Sequence, residues 1–315
     1  MSTDNALISV VAPVYNEAET VGELHRRLTA VLIPLGSYEI VLVDDGSTDG
    51  TWDAVRGLAA SDPRLRVVRL SRNFGHQVAL SAGLDHARGE AVISMDGDLQ
   101  DPPEFIPELV DRWRQGSDVV FAVRAQREGE TWFKLVTASA FYKLINRVSS
   151  VDIPEQAGDF RLLSRRALDA LLAMPERARY LRGMSSWIGF RQSSVAYTRD
   201  ARHAGATKYP LRRMLHFAGD AVTSFSATPI RFVAALGFVS VALCLVALAW
   251  TLYVRFFTDE TVAGWTSVIV VVLFLGGIQL LSLGIIGQYV GRIFDEVKGR
   301  PLYFVEEIVE GDDPA

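Results

Sequence analysis

Two long runs without a charged residue constrain this chain more than any other feature of its sequence. They are Phe232–Val254, with 23 residues, and Thr261–Gly291, with 31 residues. A helix needs roughly 20 apolar residues to cross the hydrocarbon core of a bilayer, and a fully buried soluble helix of this length would be unusual. We therefore predict two membrane-spanning helices within residues 229–291, joined by a short loop into a hairpin.

The charges around this hairpin predict its orientation. The loop between the two spans carries one basic and two acidic residues, whereas the segments outside the hairpin carry an excess of basic residues. These are Arg212, Arg213 and Arg231 before the first span, and Arg292, Lys298 and Arg300 after the second. Cytoplasmic segments next to membrane spans are enriched in Lys and Arg. We therefore predict a multi-pass protein of the inner (plasma) membrane, with both termini, including a tail of residues 292–315, in the cytoplasm.

The segment Tyr209–Thr228, just before the first span, has apolar residues on one side of a helix. They are Leu211, Met214, Leu215, Ala218, Val222 and Phe225. This pattern is typical of a helix that lies in the membrane interface, and it also occurs in helices that pack on a protein core. The span that follows directly favours the interface. We therefore assign residues 206–228 to an interfacial amphipathic segment.

The first two hundred residues alternate short apolar runs with stretches of helical period. The predicted strands are Ile8–Ala12, Glu39–Val43, Leu65–Leu70, Ala91–Met95 and Asp118–Val123. The predicted helices include the apolar series from Val21 to Leu32, then Gln77–His86 and Pro103–Arg114. Strands that alternate with helices in this way indicate an α/β fold, in which helices cover both faces of a parallel sheet.

Charge and cysteine content exclude several classes of function. The net charge of −5 argues against broad nucleic-acid binding, which needs a dominant basic surface. Cys244 is the single cysteine, so one chain can form neither a disulfide nor a cysteine metal site. The first twenty residues lack the basic and then apolar order of a secretion signal. The soluble part is therefore expected in the reducing cytoplasm.

Polar residues follow three of the predicted strands at the point where each strand ends. These clusters are Pro13–Glu17, Asp44–Ser47 and Asp96–Asp101. Ligands of α/β sheets bind outside the carboxyl ends of the strands. Two carboxylates that flank a glycine, as Asp96 and Asp98 do, suit a divalent cation with phosphate ligands, although aspartates also end strands for local reasons. Three such clusters together favour a site for a nucleotide diphosphate.

Five segments together resemble the family 2 glycosyltransferases. They are Pro13–Glu17, Asp44–Asp49, Asp96–Glu104, Gly158–Leu162 and Gly205–Pro210. Within the family the chain is most similar to the polyprenyl-phosphate type, which includes dolichol-phosphate mannose synthases and bactoprenol glucosyltransferases. The resemblance covers nearly the whole chain, including both spans and the segment Gly287–Arg292 that ends them. It implies a Rossmann-like GT-A catalytic domain over residues 1–205, followed by the interfacial segment and the hairpin.

The resemblance also implies roles for individual residues of the donor and metal sites. The implied donor-binding residues are Pro13, Tyr15, Glu17, Asp44, Asp45, Asp96, Arg202 and Lys208. Arg202 and Lys208 would clamp the phosphates of the leaving diphosphate with charge-assisted hydrogen bonds. The implied cofactor is Mg²⁺ or Mn²⁺, held by Asp96, Asp98 and Gln100.

For the acceptor side the resemblance implies a catalytic carboxylate and a basic cluster. Asp159 stands where the family places its catalytic carboxylate. The implied acceptor-phosphate residues are Arg124, Arg127, Lys134 and Ser139, and Ala138 replaces a serine that family members often carry nearby. A phosphate acceptor is already mostly ionised at neutral pH, because its second pKa is about 6. Asp159 would therefore orient the acceptor and complete its deprotonation in a single inverting step.

These expectations point to a hexosyltransferase that uses a nucleotide-sugar donor and a polyprenyl phosphate acceptor in the bilayer. The preferred reaction is transfer of glucose from UDP-glucose to undecaprenyl phosphate, if the source is bacterial. GDP-mannose as donor, a processive polysaccharide synthase, and a non-catalytic nucleotide-binding membrane module remain alternatives. The synthase would carry a Gln-x-x-Arg-Trp motif that this chain lacks. Small residues in the second span, such as Gly276 and Gly277, would allow homo-oligomers through close helix packing.

Overall fold

A computed structural model describes residues 6–124, 157–197, 228–257 and 264–311 of the chain. The described residues fall into two compact units. One unit contains residues 6–124, 157–197 and 300–311, and the other contains residues 228–257 and 264–299. The first unit is an α/β domain with one eight-stranded sheet. The second consists of two long helices.

The first half of the sheet is a parallel βαβ series. Its elements are β1 (Ile8–Val14), α1 (Val21–Leu32), β2 (Tyr38–Asp44), α2 (Thr51–Ala59), β3 (Leu65–Leu70), α3 (His76–His86) and β4 (Ala91–Ser94). The strands lie in the order β4-β1-β2-β3, and each neighbouring pair is parallel. All residues of β1, β2 and β4 are buried, as expected for strands that are covered on both faces.

The second half of the sheet is mixed in direction. A short 3₁₀ turn (Pro103–Phe105) leads into α4 (Ile106–Arg114) and β5 (Val119–Arg124). The later elements are β6 (Ala157–Ser164), α5 (Arg165–Leu172), α6 (Leu181–Trp187) and β7 (Gln192–Tyr197). Strand β6 lies between β4 and β5 and is antiparallel to both, whereas β7 is parallel to β5. The five predicted strands therefore share one direction, but the sheet as a whole is mixed rather than parallel.

The last strand, β8 (Val305–Glu310), comes from the predicted cytoplasmic tail and pairs antiparallel with β3 at the edge of the sheet. Two ion pairs to β3 hold it, Arg66–Glu310 at 3.0 Å and Arg69–Glu306 at 3.4 Å. The sequence pattern did not predict this strand. The division into catalytic domain, interfacial segment, hairpin and tail stays a prediction, and residues 300–311 of that tail belong to the sheet unit.

The core of the sheet unit depends on close packing of α3 against β1 and β2. A Cβ atom at Gly83 of α3 would collide with Val11 Cγ1 and would lie 2.9 Å from Val43 Cγ2. Only glycine lets the helix lie this close to the strands. Because α3 begins with His76, its depth on the sheet also decides where that side chain meets the strand ends.

The second unit contains α7 (Thr228–Phe257) and α8 (Trp265–Val297). Each has a segment long and apolar enough to cross a membrane, 22 residues over Val233–Val254 and 24 over Phe274–Val297. Only 6% and 0% of the most apolar windows are buried, whereas the core helix of a soluble protein would be mostly buried. These helices match the two predicted spans, although α8 continues six residues past the predicted end at Gly291. Nearly all of the predicted interfacial segment lies outside the described residues.

Candidate active site

The first two polar clusters lie side by side because their strands are parallel neighbours. Val14 at the end of β1 is in register with Asp44 at the end of β2. The backbone N–H of Asn16 donates to Ser47 Oγ at 3.0 Å, and Asn16 Oδ1 accepts from the N–H of Thr48 at 2.9 Å. Asn16 has a φ of 55°, a left-handed conformation that asparagine tolerates. The two segments therefore form one surface beside the strand ends.

Side chains of this surface differ in how accessible they are. Tyr15 is 45% exposed, as suits a group that contacts a ligand, whereas Pro13 is buried in the sheet. Glu17 is half-buried, and its backbone N–H donates to Thr51 Oγ1 at 2.8 Å. The backbone of the predicted donor segment is thus tied to the start of α2.

The adjacent aspartates Asp44 and Asp45, at the end of β2, have different environments. Both oxygens of Asp45 accept backbone N–H bonds, from Phe74 at 2.7 Å and Gly75 at 2.9 Å. Burial raises the pKa of Asp45 above its usual range, and these two hydrogen bonds only partly oppose that shift. Asp44 accepts from the N–H of Ser47 through Oδ1, whereas its Oδ2 has no hydrogen-bond partner among the described residues. Asp45 thus fixes the loop before α3, whereas Asp44 is fully buried, with its Oδ2 3.7 Å from Arg69 Nε.

The third polar cluster brings Asp96 next to Asp159 and His76. His76 Nε2 lies 3.3 Å from Asp96 Oδ1 and 3.3 Å from Asp159 Oδ2. One ligand atom from each of the three residues lies within 4.8 Å of the others. They come from the ends of three different elements, since His76 begins α3, Asp96 follows β4 and Asp159 is on β6. The tight turn after Asp96 needs glycine, because a Cβ atom at Gly97 would lie 2.7 Å from Pro13 O.

Asp159 is surrounded by hydrogen-bond donors. Gln77 Nε2 donates to its Oδ2 at 2.9 Å, and a guanidinium nitrogen of Arg161 lies 3.4 Å from its Oδ1. Burial by itself would raise the pKa of Asp159. The hydrogen bond from His76 and the charges of Arg161 and Arg182 outweigh that effect and hold the pKa well below its usual range. Asp159 is therefore an ionised carboxylate at neutral pH.

Arg161 is the largest fully buried side chain of the unit. Burial lowers its pKa to about 10, so it keeps its charge at neutral pH. Its Nε and one terminal nitrogen have no hydrogen-bond partner within the described part of the chain. A buried cation of this kind is stable only beside a negative charge, and Asp159 supplies it.

Asp96 has the opposite electrostatic surroundings. Burial raises its pKa to about 6; His76 opposes this shift, whereas the charges of Asp101, Asp159 and Asp98 add to it. Several carboxylates that repel one another at a strand end would be stabilised by a divalent cation. The donor set, mostly carboxylate oxygens, fits Mg²⁺ or Mn²⁺.

The predicted metal ligands Asp98 and Gln100 lie in the loop that follows Asp96. Asp98 Oδ1 accepts from the N–H of Gln100 at 3.1 Å, and Leu99 between them has a φ of 58°, which is rare for leucine. The side-chain nitrogen of Gln100 is buried without a hydrogen-bond partner among the residues described. Asp98 is not a member of the His76–Asp96–Asp159 cluster. The predicted ligand set therefore stays a prediction.

The remaining predicted site residues fall largely outside the described ranges. Arg127, Lys134, Ser139, Arg202 and Lys208 lie outside them altogether. The backbone of Arg124 ends β5 in register with Tyr197 of β7. Their predicted roles toward the acceptor and the diphosphate stay predictions.

Three residues that contact Asp159 had no role predicted from the sequence, namely His76, Gln77 and Arg161. A signal for the first two was present, since the polar stretch Ser71–Gln77 follows β3 as the other clusters follow their strands. Arg161 lies within the segment Gly158–Leu162 that carried the resemblance. Nothing in the sequence indicated that it would be fully buried.

Comparisons with known proteins show which family this chain belongs to. Residues 9–172 match the model of the Glycosyl transferase family 2. A relative described as an uncharacterized glycosyltransferase, YkcC of Bacillus subtilis, is 45% identical over 95% of this chain and 93% of its own length. The bactoprenol glucosyl transferase of Shigella phage SfII is 40% identical over 97% of this chain and 99% of its own length.

Among solved structures, glucosyl-3-phosphoglycerate synthase of Mycobacterium tuberculosis, in complex with Mn²⁺, UDP and phosphoglyceric acid, resembles this fold. The TM-score is 0.50 at 22% identity, over 70% of this chain and 78% of that chain. This likeness agrees with the predicted GT-A fold, and the family match confirms glycosyltransferase activity. The chain belongs to the family 2 glycosyl transferases.

Proposed function

We propose that this glycosyltransferase transfers glucose from UDP-glucose to a polyprenyl phosphate, with inversion at the anomeric carbon. The observation that carries the chemistry is the ionised Asp159 beside the acidic cluster around Asp96, at the carboxyl ends of the strands. The choice of sugar and acceptor rests on relatives named bactoprenol glucosyl transferase, which align over nearly their whole length. The choice of UDP as the nucleotide is part of the proposal.

In this reaction an oxygen of the acceptor phosphate attacks the anomeric carbon of the donor. The new bond joins that oxygen to the carbon, and the bond to the diphosphate breaks, so that UDP leaves with the electron pair. Because its pKa lies well below its usual range, Asp159 does not take a proton from the acceptor phosphate, whose second pKa is about 6. It accepts a hydrogen bond from the P–OH group of the fraction that is still protonated and so orients it, while an ionised phosphate oxygen attacks. Because the attack is direct, no covalent bond forms between the sugar and the protein.

On the donor side, we propose that Tyr15 and Glu17 contact the base and ribose, with the buried Pro13, Asp44 and Asp45 shaping that surface. A divalent cation, Mg²⁺ or Mn²⁺, would neutralise charge on the leaving diphosphate. Asp96 would hold it, together with the residues of its own loop. We propose Arg202 and Lys208 as the phosphate clamp.

On the acceptor side, we propose that the basic residues Arg124, Arg127 and Lys134, with Ser139, bind the polyprenyl phosphate. The apolar helices α7 and α8 would place the protein in the bilayer that contains this lipid, with both termini in the cytoplasm. Support comes from the length of the two helices and the exposure of their apolar side chains. The prenyl chain of the acceptor requires such a location, since it does not leave the membrane.

The test is sugar transfer by the full-length protein in detergent. A panel of labelled nucleotide-sugars, including UDP-glucose and GDP-mannose, is offered with undecaprenyl phosphate, and label is measured in the organic phase. We expect labelling from UDP-glucose that needs Mg²⁺ or Mn²⁺ and is lost in the near-isosteric variant Asp159→Asn. Labelling only from GDP-mannose would show that GDP-mannose is the donor. A polymeric product would show that the protein is a polysaccharide synthase.

A further inference from the structure

Gln77 contacts the proposed catalytic carboxylate from a third element of the fold. It is the second residue of α3, whereas Asp159 is on β6 and Leu181 begins α6. Its Nε2 donates to Asp159 Oδ2 at 2.9 Å, and its Oε1 accepts from the backbone N–H of Leu181 at 3.2 Å. One side-chain amide therefore joins three elements at the site.

The chemistry of its two partners determines which way this amide points. A backbone N–H can only donate, and an ionised carboxylate can only accept. A flipped amide would place two donors together at Leu181 and two acceptors together at Asp159. The NH₂ group of Gln77 must therefore face the carboxylate, and the N–H of Leu181 keeps it there.

The hydrogen bonds of Asp159 leave its two oxygens in different states. Each carboxylate oxygen has about two acceptor positions. Oδ2 receives donors from Gln77 and His76, at 2.9 and 3.3 Å, which use both positions. Among the described residues, Oδ1 receives only the longer contact from Arg161 at 3.4 Å. Within the described residues, one acceptor position on Oδ1 is therefore left for a hydroxyl donor of a substrate, such as the P–OH group of a still protonated acceptor phosphate.

We propose that Gln77 is a positioning residue: it holds Asp159 Oδ2, so that Oδ1 is the oxygen presented to the acceptor phosphate. A neutral donor suits this task, because it orients the carboxylate without adding charge at the point where two phosphate-bearing substrates meet. The carboxylate is also held through its backbone, since Ser94 Oγ donates to Asp159 O at 2.6 Å. This inference rests on the proposed function, in which Asp159 acts on the acceptor.

Three variants of the full-length protein test the inference, using the transfer assay together with the affinity for UDP. Gln77→Leu removes both hydrogen bonds, whereas Gln77→Glu keeps an oxygen for Leu181 and replaces the donor by a second carboxylate. Gln192→Leu is the matched control, since Gln192 Nε2 also holds α6, through Ser186 O at 2.9 Å, and has no described contact with Asp159. All three are compared with wild type by thermal midpoint.

We expect Gln77→Leu to lower kcat by about tenfold to a hundredfold, in line with the loss of a hydrogen bond to a charged group. The KM for the nucleotide-sugar and the affinity for UDP should stay within about twofold, because the donor surface is unchanged. Gln77→Glu should lower kcat further through repulsion of Asp159, and Gln192→Leu should leave it unchanged. Since the glutamate side chain has the same size, that variant decides the question if the leucine variant does not fold.

The inference is overturned if kcat of both Gln77 variants stays within about twofold of wild type. It is also overturned if Gln192→Leu lowers kcat as much as Gln77→Leu, or if UDP affinity falls in parallel with kcat. Each of these results would make Gln77 a structural residue only. Failure of the proposed function gives a different result, because the wild-type protein itself would then transfer no sugar to undecaprenyl phosphate. The inference about Gln77 would fail with it.

Discussion

Asp159 and Asp96 lie close together but have opposite surroundings. Asp159 accepts hydrogen bonds from His76 and Gln77 and lies beside the buried Arg161. Asp96 is surrounded mainly by other carboxylates, and burial together with their charges raises its pKa to about 6, against the effect of His76. A carboxylate among donors is already stabilised, whereas one among negative charges gains most from a cation. We therefore expect Asp96 to meet the metal ion and Asp159 to meet the acceptor.

The residue that completes the metal site beside Asp96 can be identified with two variants. We expect Asp98→Asn to lower transfer at least about a hundredfold and to raise the Mn²⁺ concentration needed for half-maximal rate, since a neutral amide is a weaker ligand than a carboxylate. His76→Gln should keep the wild-type Mn²⁺ requirement, because Nε2 of His76 contacts two carboxylate oxygens and acts as a donor to them. The measurement is transfer rate against Mn²⁺ concentration. The reverse pattern would place the ion between His76, Asp96 and Asp159.

At the scale of elements, α3 connects the core to the site, because it packs on the sheet through Gly83 and begins at His76. We expect Gly83→Ala to lower the free energy of unfolding by about 1 to 3 kcal/mol, since the added methyl group overlaps Val11 and Val43. Gly57→Ala in α2 is the control. A Cβ atom there meets nothing within 4 Å, and alanine favours a helix over glycine by up to about 1 kcal/mol.

Both glycine variants are measured by the thermal midpoint of the full-length protein in detergent. The Gly83→Ala midpoint should fall, and the Gly57→Ala midpoint should stay the same or rise. We also expect a lower kcat in Gly83→Ala, because a shift of α3 moves His76 and Gln77 away from Asp159. A Gly83→Ala protein with wild-type midpoint would contradict the packing of α3 described above.

Strand β8 protects the edge of the sheet at β3. An uncovered edge strand exposes unpaired backbone groups and invites aggregation. The strand is anchored where it begins, since Ser71 N–H donates to Phe304 O at 2.9 Å and Tyr303 Oη donates to Asp85 at 2.8 Å. Because Ser71 starts the loop to α3, the same contacts support the segment that carries His76 and Gln77.

We therefore expect a chain that ends at Gly299 to be less stable than wild type by at least about 2 kcal/mol, since several ladder hydrogen bonds are lost. A chain that ends at Gly311 keeps β8 and should behave as wild type. The thermal midpoint and the fraction of aggregated protein after gel filtration measure the difference. Equal midpoints for the two truncated chains would show that β8 contributes little to the sheet.

At the scale of the whole molecule, the sheet unit takes residues from both sides of the helical unit along the chain. Simple truncation before α7 would therefore remove β8 together with the helices. A variant that replaces residues 228–299 by a flexible Gly-Ser linker of about 20 residues keeps both parts of the sheet unit. It separates the role of the helices from the stability of the domain.

We expect this linker variant to bind UDP as wild type does and to transfer sugar to a short, water-soluble prenyl phosphate. Transfer to undecaprenyl phosphate in vesicles should fall at least about tenfold, because the helices no longer hold the domain at the lipid surface. The two acceptors are compared at equal protein concentration. If the linker variant transfers sugar in vesicles at the wild-type rate, α7 and α8 are dispensable for access to the lipid.

Local sequence patterns determined much of this molecule. The apolar runs of β1 to β5 and the two long uncharged segments were identified before any tertiary contact was known, because burial on both faces of a sheet and the span of a bilayer each require continuous apolar residues. Asp96 and Asp159 were identified as well, the first because it directly follows a buried strand and the second by resemblance. Motif and strand position are properties of a short segment, so the sequence alone contains them.

Only the tertiary structure determined which residues surround Asp159 and which strands complete the sheet. His76 and Gln77 reach Asp159 because β6 runs antiparallel between β4 and β5, and β8 covers β3 after more than two hundred intervening residues. Such contacts join segments that are distant in the chain, and no local pattern records their pairing. The opposite pKa shifts of Asp159, which lies among hydrogen-bond donors, and Asp96, which lies among other carboxylates, follow from burial and contacts that the fold creates.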